Sequence, residues 1–336
     1  MSATLSPADI VAVTVTYGSR LRCLQEVLAA LVSQGVRTAV VVDNGCEWNV
    51  SEACSAIPEL GVRIVRLERN CGSAGGYRAG MEAALLTSCE FLFLVDDDNA
   101  PEPDCISRLL SVYSDGIAAD QRDSTALLAA REGHSPDLFD ADGRERRTAS
   151  EFLGFSLGAK IARRFGREAE TPVLRGTRRD RYPRVATAPY GGLMLPRALV
   201  VEIGLPDPSF VLYADDTEFS YRITRLGRRI LFVPHARIRD IETSWNLGAP
   251  MRTAARGWVL GTSDLRAYYS ARNRAYFERH CRPCSAWRRV NEYVYMGLLL
   301  AVSLVHGRFT RWRVLARAVR DGHARRLGTA ARFPLS

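Results

Sequence analysis

The sequence predicts an α/β protein: a mixed, mostly parallel central sheet with helices on both faces, followed by a helical C-terminal extension. Short apolar, β-branched runs alternate four times with helix-period stretches over roughly the first hundred residues, the pattern of a doubly wound sheet. Several of those runs end in clusters of Asp, Asn and Gly, as strands do where they meet loops at a sheet edge. The last eighty or so residues lose the strand pattern and read as helical.

Residues 10–16 are a first buried strand. Residues 20–34 carry Leu21, Leu24, Leu28 and Leu31 on one helical face. Residues 38–42 form a second strand that stops at Asp43, Asn44 and Gly45. Residues 62–67 form a third, followed by the glycine-rich loop Asn70-Cys71-Gly72-Ser73-Ala74-Gly75-Gly76 and a helix to about Leu86. Residues 91–95 are the fourth strand. Residues 115–150 and 163–184 lack periodicity and read as surface loops and short strands at a mixed sheet edge. Order returns at residues 188–194. A helix over 216–226 closes at Gly227, a C′ glycine, and a strand follows at 229–234.

Length and charge divide the chain. Its 336 residues suffice for one large or two modest domains, here 1–250 as the catalytic unit and 251–336 as a basic helical extension. Nearly all the positive charge is arginine, since Lys160 is the only lysine. After residue 250, seventeen arginines face four carboxylates, Asp264, Glu278, Glu292 and Asp321, so the preceding part of a chain of net charge +9 is acidic. A basic tail on an acidic body suits an anionic partner. No nucleic-acid motif is present, which leaves a membrane surface. Residues 294–305 carry no charge and are too few to span a bilayer, so they either lie in its interface or pack as core. The eight cysteines form no disulfide framework, and Cys281 and Cys284 make a lone pair without further ligands. With no secretory signal, the expectation is a reduced, cytoplasmic protein, peripheral on the inner face of the cell membrane.

The chemistry gathers on carboxylates. Asp96, Asp97 and Asp98 end the fourth strand, where ligands sit in open α/β sheets. Adjacent negative charges repel, and a hard cation bridging them to a phosphate would remove the repulsion; a solvated turn capping the next helix is the alternative. Asp43 ends the second strand, and Asp215, Asp216 and Glu218 open a helix, where an N-cap role is the competing reading. With the small residues at 72–76, which let a backbone approach a ligand, the set describes a site for a metal-bound nucleotide.

These motifs, in order, resemble family-2 inverting glycosyltransferases of the GT-A fold. The residues that carry the resemblance are Val13 to Tyr17, Val42 to Gly45, Asn70 to Gly76, Asp96 to Asp98, Tyr190-Gly191-Gly192, Gly204-Leu205-Pro206, Tyr213 to Phe219 and Tyr269 to Arg274. The nearest branch is the rhamnosyl- and galactofuranosyltransferase-like one. The resemblance implies that Thr16 and Tyr17 line the base and ribose pocket, that Asp43 holds base or ribose, and that Gly75 and Gly76 let the loop close on the nucleotide sugar. It implies that Asp96 and Asp98 bind Mn²⁺ or Mg²⁺, that Asp97 lies toward the donor sugar, and that Asp216 is the general base, supported by Asp215 and Glu218. That branch often has a histidine metal ligand after the next strand. By spacing Asp240 stands there, and His235 lies five residues earlier.

The implied partners are dTDP-rhamnose or UDP-galactofuranose and a glycan or lipid-linked acceptor in cell-envelope polysaccharide synthesis; an oligomer is compatible with this. A sugar-nucleotide nucleotidyltransferase would open with a glycine- and arginine-rich loop ending in lysine, and Tyr17-Gly18-Ser19-Arg20 has none. A non-catalytic scaffold is the other alternative, and the intact Asp98 and Asp216 oppose it.

Overall fold

The computed structural model describes residues 5–132, 150–164, 181–242, 254–283 and 285–335. The strands are β1 (Ile10–Thr16), β2 (Thr38–Asn44), β3 (Gly61–Leu67), β4 (Phe91–Leu94), β5 (Asn99–Pro101), β6 (Thr125–Arg131), β7 (Leu193–Pro196) and β8 (Arg229–Asp240). They join in one sheet in the order β3-β2-β1-β4-β7-β6-β8-β5. From β3 to β4 the pairing is parallel; β7 runs antiparallel to both its neighbours, β6 and β8 are parallel, and β5 returns antiparallel along β8.

Side chains alternate across the pleat, so each central strand feeds two cores. Leu24, Leu28 and Leu31 of the helix Leu21–Ser33, with Ile106 and Leu109 of Cys105–Ser111, cover Phe91 and Phe93 on one face. Tyr77 and Met81 of Gly72–Leu85, Leu199 of Arg197–Ile203, and Phe219 and Ile223 of Asp215–Arg225 cover Leu92 and Leu94 on the other. Full burial of each such side chain is worth roughly 1.5–3 kcal/mol. A third core lies in the C-terminal helices, where Tyr268, Tyr269, Tyr295, Leu299 and Leu315 enclose Phe152, Phe155 and Val211. The extension therefore takes residues from the preceding chain into its core. The expected boundary at 250 falls outside the described residues, as does Cys284.

Three sequence expectations change. The stretch expected as surface loops and short strands at the sheet edge contains β6, a buried strand inside the sheet between β7 and β8. β8 continues to Asp240 rather than ending at 234. The expected glycine loop is already helix from Gly72, because its glycines serve packing: a Cβ on Gly76 would lie 2.5 Å from Val15 Cγ1, and one on Gly80 2.7 Å from Val13 Cγ1. Gly75 sits inside the same helix, where its Cβ would meet that of Cys71 at 2.7 Å.

Candidate active site

β4 delivers Asp96, Asp97 and Asp98 to the carboxyl edge of the sheet, and the antiparallel β5–β8 pair brings Asp240 to them. Asn99 lies opposite Asp240 in the register, and its buried Nδ2 donates to Asp240 Oδ1 at 2.9 Å and to Asp98 Oδ1 at 3.2 Å. His235 is elsewhere, its ring 5.5 Å from that of Tyr182, so of the two sequence candidates Asp240 is the one at the cluster. Gly191 makes the close approach on the other side: a Cβ there would sit 2.5 Å from Asn99 Oδ1 and 2.9 Å from Asp96 Oδ2.

Two arginines offset the repulsion among these acids. Arg20 Nη1 donates to Asp97 Oδ1 at 2.8 Å and to Asp98 Oδ2 at 2.9 Å. Arg131 Nε donates to Asp240 Oδ1 at 2.6 Å, and its Nη1 stands 3.6 Å from Asp96 Oδ2. The Tyr77 hydroxyl donates to Asp96 Oδ1 at 2.7 Å. Burial pushes the Asp97 carboxyl up to about 7 against the pull of Arg20, and it also raises Asp96 despite Tyr77 and Arg131. Asp97 Oδ2 and Asn99 Oδ1 are buried without a hydrogen-bond partner. These oxygens are the hard donors a divalent cation takes. No three Asp, Glu, His or Cys among the described residues enclose an ion by themselves. The set fits a cation that shares its coordination with phosphate oxygens.

The second acidic group opens the helix Asp215–Arg225, whose N-cap is Ala214 and not a carboxylate. Asp215 is buried with Oδ2 unpartnered, and Asp216 Oδ1 accepts from the Thr217 backbone N–H at 2.6 Å. Burial raises both acids; Asp216 further raises Asp215, Asp96 further raises Asp216, and Arg274 lowers Asp216. Tyr77, hydrogen-bonded to Asp96, packs on Tyr190 with ring centres 4.0 Å apart, and the Tyr190 ring lies 6.0 Å from that of Phe219 in the helix Asp215–Arg225, which makes the two acidic groups neighbours. Glu218 does not join them: it takes a bidentate hydrogen-bonded pair from Arg222, which also donates to the Leu205 carbonyl at 2.9 Å.

The approach to that helix is strained. Val211, Tyr213 and Ala214 have φ of 66°, 68° and 58°, in a region side chains with a Cβ avoid. Asn273 holds them. Its buried Nδ2 lies 2.8 Å from the carbonyls of Phe210, Leu212 and Tyr213, while Oδ1 accepts from Arg272 Nε at 2.8 Å. Arg272 Nη2 adds a bond to Phe210 O at 3.0 Å. The Val211 carbonyl in turn faces Gly72, where no Cβ would fit, and accepts from Ala74 N at 3.2 Å. Sequence reasoning gave Arg272 and Asn273 no role, although the motif Tyr269 to Arg274, which carries part of the resemblance, contains both.

Thr16 and Asp43 are register partners at the ends of β1 and β2. The Thr16 hydroxyl is buried and unpartnered, whereas Asp43 accepts from Cys46 N and Arg66 Nε, both at 2.9 Å. Tyr17 is exposed, with the Arg20 guanidinium 5.1 Å from its ring centre. A cavity of about 370 Å³ adjoins the helix Asp215–Arg225, lined by Tyr213, Thr217, Trp258, Ser270, Arg274 and Glu278 among others. A larger one, about 910 Å³, opens between residues 310–320 and 326–333 and touches none of the carboxylates at the sheet edge.

Comparison with known proteins gives a consistent family. A model of the family described as "Glycosyltransferase like family 2" matches residues 7–261. Galactofuranosyltransferase GlfT1 of Mycolicibacterium smegmatis is 27% identical over 231 residues, 66% of this chain and 68% of that protein. Galactofuranosyltransferase GlfT2 of Mycobacterium tuberculosis is 27% identical over 76% of this chain, and succinoglycan biosynthesis protein ExoO of Rhizobium meliloti 28% over 43%. The chain spans 38% of GlfT2 and 37% of ExoO. Among solved structures, S. aureus TarS with UDP-GlcNAc superposes at a TM-score of 0.51, with 15% identity over 93% of this chain and 80% of that one. The mannosyltransferase PcManGT of Pyrobaculum calidifontis, solved with GDP-Man and Mn²⁺, gives 0.50, with 14% identity over 94% and 87%. The fold is GT-A.

Proposed function

The chain belongs to glycosyltransferase-like family 2, and from that premise we propose that it transfers rhamnose or galactofuranose from a nucleoside-diphosphate donor to a glycan or lipid-linked acceptor, with inversion, in cell-envelope polysaccharide synthesis. The observation that carries the proposal is that Tyr77, bonded to Asp96, packs on Tyr190 beside Phe219 of the helix that Asp215 and Asp216 open, so that two acidic groups are neighbours, one suited to the leaving diphosphate and the other to the acceptor hydroxyl. The relatives named galactofuranosyltransferases support the choice of donor.

In this reading Thr16, Tyr17 and Asp43 receive the nucleoside, and Asp97 turns toward the sugar. Asp96, Asp98 and Asp240 would hold Mn²⁺ or Mg²⁺ only together with phosphate oxygens of the donor; when bound, the cation neutralises charge on the leaving diphosphate. The acceptor enters through the cavity beside Tyr213 and Trp258. Asp216, whose ionised form is favoured by its hydrogen bonds from Thr217 and then by Arg274, takes the proton of the attacking hydroxyl, an effect typically worth about 10²–10⁴-fold. Asp215 keeps a charge-repelling partner beside it, and Glu218 fixes the helix through Arg222. Gly75 and Gly76 leave the start of their helix bare where the nucleotide sugar approaches, and Gly76 also lets that helix pack on β1. The work is done in the cytoplasm, at the inner face of the membrane.

A thermal-shift panel of UDP, dTDP, GDP and CMP, each with and without Mn²⁺, tests the donor site, with Asp98→Ala as control. At 100-fold above its dissociation constant a ligand stabilises by roughly 2.7 kcal/mol. A Mn²⁺-dependent shift with UDP or dTDP, lost in the control, is expected. No shift with any nucleotide would overturn the proposal.

A further inference from the structure

The helix Ala286–Val305 is turned inside out. Its buried positions are Arg288, Asn291, Tyr295, Leu299 and Ser303, three of them polar. Asn291 Nδ2 donates to Ser150 O at 2.7 Å and its Oδ1 accepts from Leu157 N at 2.9 Å, while Arg288 donates to the Glu278 carbonyl. The outward stripe is apolar: Trp287, Val290, Val294, Leu298 and Val305 recur at helical spacing, beside Tyr293 and Leu304. Tyr293 is 78% exposed, Val305 81% and Trp287 66%. Among the described residues, eight of the fourteen exposed large hydrophobic side chains lie between 287 and 309. A surface helix in water has the opposite arrangement, and a patch of this size needs a cover.

Charge identifies the cover. Arg289, Arg308, Arg313 and Arg320 are exposed along the same hairpin. Its two carboxylates are engaged: Glu292 lies 3.5 Å from His323, and Asp321 pairs with Arg326 at 3.0 Å. A second copy packed antiparallel on a two-fold axis would bring these arginine rows against each other. No helix among the described residues is long and apolar enough to cross a membrane. An apolar stripe about 30 Å long, flanked by arginines and free of exposed acid, suits the interface of an anionic bilayer.

We infer that the outward face of Ala286–Val305 docks flat on an anionic lipid surface, with Trp287, Val294 and Leu298 inserted and Arg308 and Arg313 on the headgroups. This deepens the proposed function, by giving its lipid-linked acceptor a surface, and it is tested apart from the donor site. The full chain is floated with vesicles of phosphatidylcholine alone and of phosphatidylcholine mixed with phosphatidylglycerol. The expected result is flotation with the mixed vesicles only and a blue shift of Trp287 emission, absent from Trp287→Phe. The pair Val294→Gln and Leu298→Gln, both on the exposed face, weakens partitioning roughly ten-fold or more, and Arg308→Gln with Arg313→Gln does so most at low salt. The nucleotide-induced thermal shift stays unchanged in both. Unchanged partitioning in the apolar pair would overturn the inference. So would failure of the parent chain to float, including the case where gel filtration reveals a dimer that the apolar pair splits. Loss of the nucleotide shift in a parent chain that still floats would overturn only the donor reading.

Discussion

Arg131 Nε donates to Asp240 Oδ1 at 2.6 Å, while Nη1 of the same guanidinium stands 3.6 Å from Asp96. One cation of the chain thus joins two carboxylates that the proposed function gives to a metal ion. Removing it leaves the acids facing each other in a partly desolvated cleft, which costs stability because their charge is then uncompensated. Arg131→Gln is expected to lower the melting temperature without divalent ions and to show a larger Mn²⁺-dependent rise than the parent chain. An equal rise in both would separate Arg131 from the metal site.

Asn273 ties three carbonyls of the strained segment that aims Asp215 and Asp216. Asn273→Ala leaves those carbonyls without their donor, at about 1–3 kcal/mol, and lets residues 210–214 relax. The expected result is a transfer rate at least about ten-fold lower with nucleotide affinity nearly unchanged, since a misaimed base affects the reacting geometry and not the donor site. Equal losses in rate and affinity would mean a purely structural role.

Gly191 tests the tight packing around the acid cluster. A methyl there must displace Asn99 or Asp96, whose oxygens would lie 2.5 and 2.9 Å from it. Gly191→Ala is expected to abolish Mn²⁺-dependent nucleotide binding while the far-ultraviolet circular dichroism stays that of the parent. Retained binding would place the cation elsewhere.

The sequence made much of this arrangement readable. β1 to β4 and their helices were legible because β-branched runs and leucine stripes differ in period, and the carboxylates because charge at the end of an apolar strand is costly without a use. β6 was not: Thr125–Arg131 is short and rich in Leu and Ala, which are strong helix formers, Ala being depleted in strands. The glycines at 75 and 76 were legible as points of close approach, but that Gly76 packs on Val15 of β1 and Gly75 on Cys71 required coordinates, because glycine marks close approach equally in a phosphate loop and in packing. Arg20, Arg131 and Asn273 act on residues 35 or more positions away, a relation no local pattern carries. The inverted helix was half visible, as an uncharged run whose facing required coordinates.

Asp97 gives the fold a pH signature. Burial lifts its carboxyl to about 7, above the ordinary value of about 3.9 in an unfolded chain. Between those values the folded state binds the extra proton, so stability is greatest at the acid end and declines as pH rises. Melting temperatures taken from about pH 5 to about pH 8 are expected to fall more steeply in the parent than in Asp97→Asn. The same slope in both would mean that Asp97 ionises normally.

The central claim is that Asp216 is the base, and Asp216→Asn tests it most directly. Nucleotide binding with Mn²⁺ and sugar transfer to acceptor are measured on the same preparation, the latter across pH. The account predicts binding close to that of the parent and transfer reduced by at least about 10²-fold. In the parent, the acid limb of the rate profile should lie above the usual carboxylate range, because burial raises the Asp216 carboxyl and only its ionised form accepts the proton. Transfer that persists in Asp216→Asn, or binding and transfer lost together, would contradict the account.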